Sequence, residues 1–333
     1  MTLSRLEEEK AYHENISQLM QPILPQLDKL VKYYVLIHLL FIFAIALESV
    51  LLLAFFSFLA NSSFLAFGLA ALFLTIFSYL LIRLYFQTAK PERLIQIRSQ
   101  FVNSCKTVLN YSENSPADLM ALAQACSKLS FSLQGKERNY YRPPEWLIFL
   151  TPWFEKFSAW WHWQDIHRVR ELLLLQTIEQ HILLVKSEPI SMEIHAALAN
   201  AYINLASLYQ EPLKAHDQDK WLLLDKYFQN LPEKFRKSAE KAIEEFKIIN
   251  DFAPNDPWVH EQLAYTYHDL DLTEEEIKEY ETLIHLNPED KEAQYKLGAL
   301  YFAVGMNSKG LRVYQELRKS HAKKADSLIK LYR

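Results

Sequence analysis

The chain has 333 residues, is 50% apolar and 23% charged, and carries a formal net charge of −4, yet its mean hydropathy is only −0.11. These values agree only if the apolar residues are concentrated in one stretch, and the length leaves room for more than one domain. Five glycines with none at phosphate-loop spacing exclude P-loop and dinucleotide-fold readings, and a C-terminal half without a basic cluster argues against a nucleic-acid partner.

Residues 1–34 read as a charged N-terminal segment, and the apolar excess follows in residues 35–86. Residues 35–60 hold one formal charge, Glu48; after Asn61-Ser62-Ser63, residues 64–86 hold only Arg83. At about 1.5 Å per residue, each lobe is longer than the ~30 Å hydrocarbon layer, so a two-helix transmembrane hairpin is expected. A secretory signal has a shorter apolar core of roughly 7–15 residues and a small-residue cleavage site. Lys29 and Lys32 precede the first lobe and Lys90, Arg93 and Arg98 follow the second, whereas the turn is uncharged. The positive-inside rule therefore puts both termini in the cytoplasm, which in a bacterium means a multi-pass protein of the inner membrane. Asn61 begins a glycosylation sequon, discounted because it would lie against the membrane surface.

Glu48 falls near the middle of its lobe, at the level of Ile76, where a carboxylate is expected to be protonated or partnered. A bond within the hairpin or between copies of it is preferred over ion or proton transport. Arg83 lies nearer the cytoplasmic end and reaches the headgroups by snorkelling.

Residues 87–164 form a basic connector with a net charge of +3. A helix is expected from Pro91 to Tyr111, and Ser115-Pro116 opens a second that runs to Gly135. Cys105 and Cys126 lie on these helices, too few for a disulfide framework. The remainder holds Trp146, Trp153, Trp160, Trp161 and Trp163, with Phe149, Phe154 and Phe157 between them. Pro143, Pro144 and Pro152 break this stretch too often for it to span, so a helix lying in the headgroup zone is expected. The alternative is an aromatic core that docks the C-terminal part. His162, Asp165 and His167 do not share one helix face, and His13-Glu14 and His260-Glu261 lack a second histidine, so no metal or cofactor site is expected.

Residues 165–333 carry an internal repeat. Pro254 and Pro288 each close a helix before an acidic turn, and they stand 34 residues apart. Leu263, Ala264, Tyr267, Tyr280 and Leu283 recur as Leu297, Gly298, Tyr301, Tyr314 and Leu317, with Gly310 as the small residue of the last helix. Small residues admit the neighbouring helix and tyrosines fill the space one turn later. This pattern resembles the tetratricopeptide repeat family. Ala242, Phe246, Ile249 and Pro254 match a preceding second helix, Leu198, Ala199 and Tyr202 a preceding first helix, and residues 171–185 the second helix of a further repeat. An insertion near residues 210–232 separates the earlier pair, Glu276 stands where the family usually has alanine, Ala322 replaces the last closing proline, and residues 325–332 read as a cap.

The fold expected is thus all-α: a transmembrane hairpin, a helical connector and a tetratricopeptide-like solenoid. The resemblance implies a concave face that holds a protein or peptide, here presenting Trp258, Glu261, Tyr265, His268, Glu292, Tyr295 and Phe302, with Asn200 and Asn204 before them. Packing between repeats is the competing role for these aromatics. Ala196, Glu261 and Glu292 do not fit repeats that clamp chaperone tails. The function expected is a non-enzymatic membrane scaffold. The rivals are an enzyme or transporter acting through Glu48, and a secreted host-interaction protein, since the two-lobed apolar segment also resembles that of chlamydial inclusion membrane proteins.

Overall fold

The computed structural model describes residues 20–56, 63–212 and 230–332. The turn at residues 61–62, His13-Glu14 and most of the insertion lie outside them. The described residues form helices with no strand, and the chain divides into two compact units, Met1–Thr177 and Ile178–Arg333.

In the first unit, α1 (Ile23–Ala54) and α2 (Ser63–Leu109) are followed by α3 (Pro116–Ser132), two short 3₁₀ turns (Lys136–Arg138 and Glu145–Leu150) and α4 (Thr151–Ser187). The Ser115 side chain accepts the Asp118 N–H at 3.4 Å, and Pro116 takes the first helical position, where a missing N–H costs nothing. Ile23, Leu27 and Val31 of α1 pack with Leu94, Ile97 and Phe101 of α2, Leu122 and Cys126 of α3, and Ile166, Val169 and Leu173 of α4. Beyond this base the first two helices are long and apolar enough to cross a membrane. Only 6% of the most apolar window of α1 and 0% of that of α2 is buried.

Two boundaries differ from the sequence reading. The helix expected to start at Pro91 is continuous with the second apolar lobe, because Pro91 removes one backbone bond while Lys90 is pinned to Asp165 at 2.7 Å and Leu94, Ile97 and Phe101 are locked in the base. The part of the Trp-rich stretch from Trp153 to Trp163 and residues 171–185 likewise belong to one helix, since Pro152 falls in the first turn of α4, where proline is tolerated, while Trp146 stays in the 3₁₀ turn before it.

The second unit begins in the last turns of α4 and continues as α5 (Met192–Gln210), α6 (Leu231–Phe252), α7 (Pro257–Asp269), α8 (Thr273–Leu286), α9 (Lys291–Ala303), α10 (Asn307–Ser320) and α11 (Ala322–Ile329). Each core bridges successive pairs. Ala199, Ala242 and Phe246 meet Val259, Leu263 and Tyr267; Ala264, Ile277 and Tyr280 meet Ala293, Leu297 and Tyr301; Phe302 and Leu317 meet Ala325 and Leu328. This is helical-repeat packing, in which a pair buries its faces only against its neighbours. A Cβ on Gly298 would stand 2.6 Å from Leu328 Cδ2, so the last helix approaches α9 only because position 298 has no side chain.

The backbone repeats with the sequence. Asp256 and Asp290 both cap a first helix, bonding the N–H groups of Trp258 at 3.0 Å and of Glu292 at 2.9 Å. Asp271 and Gly305 both take positive φ, 57° and 79°, at the turn inside their pairs. A third repeated feature escaped the sequence reading. His195, His260 and Gln294 lie six residues after Pro189, Pro254 and Pro288, and each side chain nitrogen meets that proline's carbonyl, at 3.1, 3.0 and 2.6 Å. The other ring nitrogen of each histidine meets a carboxylate of the next helix, Glu245 at 2.6 Å or Glu279 at 2.7 Å. His260→Ala is expected to cost about 1–3 kcal/mol in urea unfolding, because the buried ring gives up two hydrogen bonds, to the Pro254 carbonyl and the Glu279 carboxylate. His260→Gln should cost less, as glutamine already holds the same carbonyl at position 294.

Candidate functional site

The repeat unit contains a cavity of about 790 Å³ lined by Tyr265, His268, Glu276, Tyr280, Tyr295, Lys296, Ala299, Leu300, Phe302, Ala303, Lys330 and Leu331. It lies along α7 and α9, the first helices of their pairs, and four of the nine residues expected on the concave face line it, namely Tyr265, His268, Tyr295 and Phe302. Tyr265 donates to Glu261 Oε1 at 2.5 Å and accepts from Lys296 Nζ at 3.0 Å, so Glu261 holds the tyrosine hydroxyl from behind. The Lys296 ammonium also lies 4.3 Å from the Tyr265 ring centroid. That contact joins two repeats, and no motif announces it.

The remaining expected residues have other places. Trp258 packs edge-on against Phe246 at 5.8 Å and does not line the cavity; Asn200 and Asn204 do not line it either. Phe302 is 6% exposed, and its ring fills the space where a Gly310 Cβ would go, so it forms the cavity floor and belongs mainly to the α9–α10–α11 core. Glu292 pairs with Lys324, which holds its carboxyl below the usual range. Glu276, where alanine was expected, is buried and bonds His268 Nδ1 at 3.2 Å; burial raises its carboxyl above the usual range, with His268 opposing. Tyr280 and Tyr301 are likewise raised, chiefly by burial.

In the first unit, Thr75 donates to Glu48 Oε1 at 2.9 Å across the hairpin, one residue from the level inferred from the sequence, while Arg83 is exposed on α2. Trp146, Trp153 and Trp160 are exposed. Trp161, grouped with them on sequence grounds, turns inward: it stacks on His38 of α1 at 5.9 Å and 24°, because it lies about 80° around α4 from Trp153, towards the side of the buried Ser158, His162 and Asp165.

His162, Asp165 and His167 do not converge. His162 Nε2 lies 3.0 Å from the Tyr141 hydroxyl, Asp165 pairs with Lys90, and His167 stacks on Trp163 at 4.5 Å. Among the described residues, no group of three or more His, Cys, Asp or Glu stands close enough to hold a metal ion. Burial, helped by the Lys90 and Lys32 ammonium groups, pushes His162 down to about 3. The unfolded chain takes up this proton near ~6.5 and the folded chain does not, so stability is complete above that pH and falls as pH drops towards 3. About 2 kcal/mol should be lost near pH ~5. Melting at two pH values checks this, with His162→Gln removing that slope.

No family model matches the chain, and no curated protein matches it. Among solved structures, a monomeric IFIT1 mutant with Gppp-AAAA is 14% identical over 70% of this chain and 58% of its own, with a TM-score of 0.33. The Assembly Chaperone of RpL4, Acl4, is 17% identical over 72% of this chain and 93% of its own, with a TM-score of 0.26. The chain thus spans less than two thirds of the IFIT1 chain that it matches.

Proposed function

We propose that the chain is a membrane-anchored, tetratricopeptide-like scaffold that recruits a protein partner through the cavity between α7 and α9. The observation that carries this reading is the cavity itself. Its volume of about 790 Å³ suits a few anchoring side chains of a peptide, and Tyr265, Tyr280, Tyr295 and Leu300 give it a largely apolar wall. The exposed apolar lengths of α1 and α2 support a two-pass hairpin, and the basic residues at its open end support cytoplasmic termini. A binding role is favoured over catalysis because the Tyr265 hydroxyl is committed to Glu261 and Lys296. The Thr75 bond supports a structural part for Glu48.

The orientation is tested with impermeant thiol reagents on Ser62→Cys and Ser327→Cys in sealed vesicles. Labelling from opposite sides is expected, and labelling from one side sinks the hairpin. Recruitment is tested by crosslinking from a photoreactive group at Tyr265 in intact membranes. Crosslinks to one protein, lost when Tyr295→Ala is added, support the scaffold; crosslinks to RNA alone would replace it with a nucleic-acid reading. Loss of proton flux in Glu48→Gln liposomes with recruitment unchanged would favour a transporter.

A further inference from the structure

The stretch from Glu145 into α4 has two unlike faces. Trp146, Ile148, Phe149, Trp153 and Trp160 are 77, 69, 72, 73 and 57% exposed. The opposite side holds Ser158, Ala159, His162 and Asp165, all buried, with Trp161 half-buried. A surface helix of a soluble protein carries charged residues on its outward stripe, and here that stripe is large and aromatic.

Contacts of the inward side fix its level along the hairpin. Trp160 meets Trp161 at 4.8 Å, Trp161 stacks on His38, and His38 meets Phe86 at 5.7 Å, where the apolar lobes end. Further along, Asp165 pairs with Lys90, and Gln176 accepts from Arg98 at 2.6 Å. These contacts advance in the same sense along α2 and α4, so α4 starts at the apolar end of the base and leads away from it. The aromatic stripe is thereby continuous with the exposed apolar surface of the hairpin. Glu155 and Lys156, close to the stripe, limit its depth, since charged side chains in hydrocarbon are costly. Tryptophan favours the layer where its ring meets acyl chains and its N–H meets polar groups.

We propose that Trp146, Ile148, Phe149, Trp153 and Trp160 form a second, non-spanning membrane contact in the headgroup layer of the leaflet from which the open end of the hairpin emerges. This rests on the reading of α1 and α2 as a transmembrane hairpin. The ligand is the phospholipid interface itself. Arg142 and Lys156 balance Glu145 and Glu155 around the stripe, so zwitterionic lipid suffices and added salt leaves the contact in place.

The test uses the full chain in phosphatidylcholine liposomes, with an environment-sensitive fluorophore on single cysteines and nitroxide lipids labelled at the headgroup or mid-chain. Burial pushes the Cys105 thiol up to about 12 and Cys126 higher still, so the introduced cysteine reacts selectively. Probes at Trp153→Cys and Phe149→Cys should be quenched more by the headgroup nitroxide, a probe at Phe73→Cys more by the mid-chain nitroxide, and one at Ser132→Cys by neither. A Phe73 probe insensitive to the mid-chain label overturns the hairpin reading. With Phe73 quenched as expected, probes at 149 and 153 that respond to neither label overturn the proposal alone. Stronger mid-chain quenching at both positions overturns the headgroup placement.

Discussion

Lys90→Met is expected to destabilise the first unit by about 3–5 kcal/mol, because it leaves a buried carboxylate without its counter-charge. Asp165 is 4% exposed, and Lys90 lies 2.7 Å from it while its ammonium also stands 5.5 Å from the Tyr34 ring centroid. Burial drives Asp165 above the usual carboxylate range, and Lys90 is the group that opposes it. The ion pair ties α4 to α2 beside Pro91, where the helix has lost a backbone bond. Denaturant unfolding in mild detergent reads the effect. Adding Asp165→Leu should restore most of the loss, since replacing both members of a buried pair by apolar groups is close to neutral. A single-variant cost under about 1 kcal/mol would mean that the pair is solvated and that α4 is held by its apolar contacts alone.

Phe302→Ala should cost the repeat unit about 3–5 kcal/mol, the range for removing a buried aromatic side chain. The ring contacts the Gly310 backbone and the Leu317 and Leu328 cluster, and it meets Tyr332 edge-on at 5.6 Å. Loss of the ring opens a hole between α9, α10 and α11, so the cooperative melt of the whole stack should move. Tyr265→Ala, at a side chain 38% exposed, should shift the melt far less. Near-wild-type stability of Phe302→Ala with lost partner binding would return Phe302 to the binding surface, as the sequence pattern alone had it.

The residues themselves show why one part of this picture was legible and another was not. The repeat period could be read from Pro254 and Pro288, from Asp256 and Asp290, and from Leu263 and Tyr267 recurring as Leu297 and Tyr301, because caps and helix faces depend on neighbours within a few residues. The His195 and His260 contacts follow from a fixed spacing of six after proline, a signal present in the chain but recognisable only once the carbonyl was seen to be the partner. Lys296 had no such signal, since its role depends on Tyr265, 31 residues away.

By itself the sequence determined the helical class, the two apolar lengths, the 34-residue repeat and the level at which Glu48 meets the second lobe. Each of these is set by local hydrophobic period, length or capping. Only the tertiary structure decided that α2 continues through Pro91, that Trp161 turns inward while Trp153 faces out, that Phe302 is core, and that Asp165 takes Lys90 as its partner. Those outcomes depend on side chains brought together from distant positions, where packing and burial outweigh the local preferences that a sequence displays.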